Sequence, residues 1–125
     1  MRLRLITLAL VLILSVVACE LIVKVCESIL VPGLRVELAD AISGAPVIVD
    51  SIFATATTSG YADTVTRVGG RNRFYLVEDR PGTYTVNIDV PGYAYWQRVN
   101  IEVEMEDRCH VKTQALQVSL YQLTP

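Results

Sequence analysis

The chain has 125 residues, which is enough for one domain and too few for two of ordinary size. Its formal net charge is −2 and its 11 basic residues are scattered, so we predict that it does not bind nucleic acid. Apolar residues make up 52 % of the chain, but they are spread unevenly, and the first segment holds a long run of them.

Residues 1–18 have the layout of a secretory signal peptide, with a basic start, an apolar centre and a small residue before a break. The segment Val16-Val17-Ala18-Cys19 resembles the bacterial lipobox, although leucine is more usual where Val16 stands. In a lipobox the cysteine is acylated, by palmitate-type chains, and becomes the new N-terminus. We therefore predict a signal helix over residues 1–18, lipid on Cys19 and a tether over residues 19–32. An uncleaved anchor helix and an ordinary signal peptide remain open as alternatives.

A lipid on Cys19 would place the protein in the cell envelope, with the membrane as its first partner. Glu20 stands where an aspartate can signal retention in the inner membrane, so we favour the outer membrane, at its periplasmic or external face. If Cys19 carries lipid, Cys26 and Cys109 are left as a pair in an oxidising compartment. We predict that these two form a disulfide.

Residues 33–125 are predicted to form one all-β domain, because apolar residues alternate with polar ones and Gly/Pro turn signals recur every 8–12 residues. No segment there has the apolar spacing of a helix, and the pattern fits an antiparallel sandwich or barrel. Residues 69–73 are predicted to be a hairpin connection. The predicted strands are Leu34–Ala39, Ile48–Thr58, Tyr61–Val68, Phe74–Val77, Thr83–Val90, Val99–Glu106 and Cys109–Leu123.

Three segments resemble the carboxypeptidase regulatory-like domains, which have a transthyretin-like (prealbumin-like) β-sandwich. They are Pro81-Gly82-Thr83-Tyr84-Thr85-Val86, Pro91-Gly92-Tyr93 and the opening Val36–Val47. The segment Asp107–Thr113 is similar to the ending of small bacterial lipoproteins that carry this domain. The resemblance implies an antiparallel, seven-stranded Greek-key sandwich that serves as an add-on or surface module. The Pro-Gly pair fixes the turn before the strand, so we expect the Tyr84 ring in the core and its hydroxyl on a backbone partner.

The sequence predicts no catalytic site, no metal site and no cofactor. His110 is the only histidine and adjoins Cys109, and neighbours on a strand point to opposite faces, so we expect an ordinary strand residue. Glu78-Asp79 in a turn and the acidic residues between Glu102 and Asp107 are interpreted as solvated charges.

Tyr95 and Trp96 carry the one indication of binding, because at most two of the neighbouring aromatics Tyr93, Tyr95 and Trp96 can share a face of a strand. A core or sheet-edge role for them remains open. The favoured function is a non-catalytic, lipid-anchored module of the cell envelope that binds or scaffolds an unknown envelope protein or glycan. The alternative is a carbohydrate-binding module in which Tyr95 and Trp96 contact the ligand.

Overall fold

The structure, a computed structural model, describes Cys26 and residues 28–124. The predicted signal helix, Cys19 and most of the predicted tether therefore lie outside the described residues. No helix that is long and apolar enough to cross a membrane occurs among the residues described. The described part of the chain folds into seven strands: β1 Pro32–Asp40, β2 Val49–Thr58, β3 Tyr61–Arg71, β4 Arg73–Glu78, β5 Gly82–Asp89, β6 Trp96–Val103 and β7 Gln114–Leu120.

The strands form two sheets that pack face to face, which confirms the predicted all-β sandwich of seven strands. Sheet A has the order β4-β1-β7, and sheet B has the order β3-β2-β5-β6. Alternate side chains of each strand enter the space between the sheets, as period-two patterning requires. Leu34 and Leu38 of sheet A and Val86 and Ile88 of sheet B are fully buried there.

One strand pair departs from the antiparallel arrangement that the sequence predicts. β1 and β7 are parallel, in register from Leu34 opposite Gln114 to Asp40 opposite Leu120. The cause is the loop over residues 104–113, which connects β6 in sheet B to β7 in sheet A. Its Thr113 hydroxyl donates to the Pro32 carbonyl at the start of β1, 2.8 Å away, so β7 begins at the same end as β1.

The last strand begins at Gln114 and not at Cys109, so this predicted boundary is wrong. Residues 106–110 form a turn in which the Glu106 amide donates to the His110 carbonyl. The Asp107 carboxylate accepts from the Cys109 and His110 amides at 2.7 Å and 2.9 Å. A short aspartate side chain that satisfies nearby amides favours a turn over a ladder.

The predicted hairpin connection over residues 69–73 is also wrong in detail. β3 continues through Gly69 and Gly70 to Arg71, and Asn72 alone separates it from β4. Both glycines have positive φ, of 76° and 73°, which other residues rarely adopt. The pairing of β2 with β3 shifts register beside them, so these glycines belong to an irregular strand end and not to a loop.

Gly33 is required by close approach of two chain segments. A Cβ at this position would lie 2.7 Å from the Val77 carbonyl oxygen and 2.9 Å from Cγ1 of Val103. β1 therefore passes between β4 and the end of β6 with no room for a side chain. This is the end of the sandwich at which the chain enters the domain, and we call the region formed by Val31, Asp79, Cys109 and His110 the tether end.

Candidate functional site

The predicted disulfide is present: Cys26 and Cys109 are bonded, with their Cα atoms 5.2 Å apart. The bond fastens the segment before β1 to the turn before β7, which are separated by 83 positions in sequence. Cys19, the predicted lipidation site, is not among the described residues. Tyr95 is 60 % exposed, and Trp96 is half-buried against the core.

The side chains of Asp79 and His110 are in contact at the tether end, and the sequence analysis missed this pair. Nδ1 of His110 lies 3.1 Å from both carboxylate oxygens of Asp79. The same carboxylate accepts from the Val31 amide at 3.0 Å and the Val111 amide at 3.3 Å. The Asp79 amide in turn donates to the Val31 carbonyl at 2.8 Å. One aspartate therefore joins three segments: the entry to β1, the turn after β4 and the loop before β7.

These contacts favour the charged carboxylate of Asp79. Partial burial opposes ionisation, but the hydrogen bonds from Val31, His110 and Val111, with the charge on His110, outweigh it and hold the pKa of Asp79 below its ordinary value. Glu78-Asp79 was interpreted as solvated charge, and for Asp79 this is wrong. His110 likewise lies in a loop and not on a strand, which corrects the sequence prediction.

A second polar contact joins the two sheets beside this junction. The amide of Val77 in β4 donates to Oδ2 of Asp63 in β3, 2.7 Å away. Val77 is fully buried and has a φ of 62°, a conformation that β-branched residues rarely adopt. The turned backbone of Val77 aims its amide away from its own sheet, and Asp63 supplies the acceptor that this amide would otherwise lack.

The outer surface of sheet B carries Tyr95, one of the two predicted binding residues, and Phe53, which the sequence analysis did not name. Phe53 pairs with Asp89 across β2 and β5, and Asn87 pairs with Thr55 on one side and Gln97 on the other. Paired residues in antiparallel strands share a face, so these side chains lie together on the outer surface. We call the set Phe53, Asn87, Asp89, Tyr95 and Gln97 the aromatic platform.

Asn87 is the centre of the hydrogen bonds on this platform. Its Oδ1 accepts from the Tyr95 hydroxyl and from Nε2 of Gln97 at 2.6 Å. Its Nδ2 donates to Oγ1 of Thr55 at 3.4 Å. The network crosses β2, β5 and β6 and fixes the orientation of the Tyr95 ring, although that ring is largely in solvent.

Trp96 takes a different position from Tyr95. It pairs with Ile88, a fully buried residue, and its ring packs partly against the core. The guanidinium of Arg98 lies 5.3 Å from the centre of that ring. The pair Phe53 and Tyr95, and not Tyr95 and Trp96, therefore supplies the two most exposed rings on this surface.

The outer surface of sheet A carries a polar cluster around Glu37. Its carboxylate accepts from Arg73 at 2.7 Å and from Nε2 of Gln117 at 3.1 Å, and Arg35 lies 3.7 Å away. The hydrogen bond from Gln117 and the charges of the arginines lower the pKa of Glu37. The pairs are exposed, and such pairs contribute little to stability. Since Arg73 and Gln117 already bond to the Glu37 carboxylate, this surface is a weaker candidate for a site.

The signals for the missed residues are of unequal strength. Phe53 could have been found, because it alternates with Ile52 and Ala54 and so must lie outward if they lie inward. Asn87 and the Asp79–His110 pair leave no local signal, since a polar residue in a strand or turn usually faces solvent. Over the part of the chain that the structure describes, no group of three or more His, Cys, Asp or Glu side chains could hold a metal ion.

No protein-family model matches the chain, and no curated protein matches it either.

Proposed function

We propose that this chain is a non-catalytic, lipid-anchored module of the cell envelope that binds or scaffolds a partner there. The Cys26–Cys109 disulfide carries the proposal. Two of the three cysteines are joined to each other, which leaves Cys19, at the end of the signal-like segment, for acylation. Disulfides persist in compartments outside the reducing cytoplasm, and this supports export.

The short distance in sequence between Cys19 and the disulfide supports a close attachment to the membrane. A segment from Cys19 to Cys26 reaches at most about 25 Å when fully extended. The tether end would then lie near the bilayer, and the opposite end of the sandwich would project from it. Durable attachment needs more than one acyl chain, as a lipobox cysteine would provide.

The finer fold assignment belongs to the same proposal. We assign the sandwich to the transthyretin-like, Greek-key type of the carboxypeptidase regulatory-like domains. Its support is the Pro81-Gly82 turn that opens β5 and the burial of Tyr84 immediately after it. The division into three and four strands is compatible with this assignment.

A non-catalytic role is supported by the way in which the candidate reactive groups are used. Cys109 is bonded to Cys26, so it has no thiolate to act as a nucleophile. His110 holds Asp79 at a junction of three chain segments, where its contacts serve the fold. Defined hydrolytic turnover by the purified protein would contradict this part of the proposal.

The anchor is tested by expressing the full chain in a bacterial host supplied with an alkyne-tagged palmitate. We expect the mature protein to lack residues 1–18, to carry added acyl mass and to be found in the membrane fraction. Separation of the two membranes on a density gradient should place it in the outer membrane. Intact mass should also show the loss of two hydrogens for the disulfide.

The matched variants separate the roles of the three cysteines. Cys19→Ala should remove the palmitate label, whereas Cys26→Ala/Cys109→Ala should keep it. A wild-type protein that retains residues 1–18, or a label that persists in Cys19→Ala, would overturn the proposed anchor.

A further inference from the structure

The two exposed rings of the aromatic platform lie on one surface, separated by a single strand. Phe53 is 57 % exposed on β2, and Tyr95, immediately before β6, donates from its hydroxyl to Asn87 of β5 from the other side. Two strand spacings correspond to about 10 Å. Exposed rings that face solvent at such a spacing offer two apolar surfaces to one extended ligand.

The Tyr95 ring is held in place before any ligand arrives. Its hydroxyl donates to Asn87 of β5. Asn87 also accepts from Gln97 and donates to Thr55 on the neighbouring strand β2. A side chain that is already fixed loses little conformational entropy on binding. These hydrogen bonds thus orient a ring that is largely in solvent. Orienting such a ring does not contribute to the packing of the core.

The charges around the platform favour a neutral ligand. Asp89 lies beside Phe53, and Arg67 of β3 pairs with Ser51 on the same outer surface. These are single charges of opposite sign, so a polymer with many charges of one sign would meet repulsion as well as attraction.

The shape of the surface favours an extended ligand. A shallow groove of about 260 Å³ is lined by Ser51, Ile52, Phe53, Asp89 and Pro91. It is smaller than the pockets of about 300–1,000 Å³ that enclose small molecules. A protein interface usually has an apolar centre, whereas the amides of Asn87 and Gln97 occupy the centre here.

We propose that the aromatic platform binds a neutral glycan chain, which deepens the binding role proposed above and rests on it. The C–H faces of successive sugar rings would pack on Phe53 and Tyr95. The sugar hydroxyls would exchange hydrogen bonds with Gln97 and Asp89, which are exposed, and would accept from the second Nδ2 hydrogen of Asn87, whose Oδ1 already accepts two hydrogen bonds. The platform lies at the end of β5 opposite Gly82, away from the tether end, where a polymer could reach it.

The test uses the full chain, purified in detergent, in two arms. The first is affinity electrophoresis through gels that contain a β-linked glucan, a xylan or a mannan. The second is co-sedimentation with purified peptidoglycan, and together the arms distinguish free polysaccharide from the glycan strands of the cell wall. We expect binding in at least one arm, and we expect Tyr95→Ala and Phe53→Ala each to weaken it by about tenfold or more.

Tyr75→Ala is the matched control, because Tyr75 is 49 % exposed on the outer surface of sheet A. It should leave glycan binding unchanged, and the melting temperature of each variant shows that it is folded. Absence of binding to all four probes, or equal loss in the three variants, would overturn the inference. If acylation of Cys19 is intact in that case, the proposed anchor and scaffold role stands without it.

Discussion

At the scale of single residues, Asp79 shows how one side chain can join segments that are distant in sequence. Its carboxylate contacts His110 and two backbone amides, and these contacts hold its pKa below the ordinary value of 3.8. As the pH falls, the Asp79 carboxylate is therefore protonated at a higher pH in the unfolded chain than in the folded protein. The contribution of Asp79 to stability is complete above the ordinary pKa and is lost as the pH falls through the lower pKa of the folded state.

Asp79→Asn should therefore be less stable than the wild type at neutral pH, with the difference shrinking below about pH 4. Urea unfolding across a pH series measures both curves. Glu78→Gln removes a neighbouring negative charge without removing these hydrogen bonds and is the control. A constant difference between Asp79→Asn and the wild type down to the lowest pH would contradict the role of the ionised carboxylate.

Tyr84 shows which single residues the sequence does reveal. Its ring is fully buried and its hydroxyl donates to the Arg80 carbonyl at 2.9 Å, as expected from the sequence. Burial raises the pKa of its hydroxyl. The Pro-Gly turn sets the register of β5 locally, so the position of Tyr84 follows from its neighbours. Asn87, three residues later, depends on partners in β6 that no local pattern identifies.

At the scale of strands, the contact between Asp63 and Val77 links β3 of sheet B to β4 of sheet A. Asp63→Ala would leave the Val77 amide without this acceptor in a buried and strained position. We expect a loss of about 1–3 kcal/mol in the free energy of unfolding. Asp63→Asn keeps a carbonyl oxygen and should lose less.

Denaturant unfolding of both variants measures the difference. Asp89→Ala, which removes an exposed aspartate from the outer surface of the same sheet, is the control and should change stability by less than about 0.5 kcal/mol. Equal stability of Asp63→Ala and wild type would show that the Val77 amide finds another acceptor.

The strands themselves could be predicted from alternation, but their ends and partners could not. All seven predicted strands exist, because each has one face that must be buried. Residues 104–113 also alternate, and Met105 and Val111 form an isolated bridge, but the turn around Asp107 prevents a continuous ladder. The parallel pairing of β1 with β7 depends on where that loop crosses between the sheets, which alternation does not encode.

At the scale of the whole molecule, the two ends of the sandwich differ in character. The tether end holds the disulfide, the Asp79–His110 pair and the Gly33 crossing, and all of these fasten chain segments to one another. The opposite end exposes apolar side chains, among them Ile42, Tyr121 and Leu123. The outer surface of sheet B thus extends from the tether end to the end with exposed apolar side chains, and the aromatic platform lies toward the latter.

The disulfide is the longest covalent constraint in the described part of the chain, and its removal should weaken the whole domain. Closing a loop with a sequence separation of 83 corresponds to about 4.5 kcal/mol in the chain-entropy model. Cys26→Ser/Cys109→Ser should unfold at a clearly lower urea concentration than the wild type. The native sheets should remain, because the bond joins the segment before β1 to the turn before β7, and both of its cysteines lie outside the strands.

The wild type in a reducing agent provides the matched control, since it breaks the same bond without a substitution. The double variant and the reduced wild type should lose a similar free energy of unfolding. Asp79→Asn should lower the free energy of unfolding less in the double variant than in the wild type, because the segment before β1 is then no longer held by the disulfide. Equal stability of the oxidised and reduced proteins would contradict the prediction. It would mean that the Val31–Asp79–His110 contacts alone hold the tether end together.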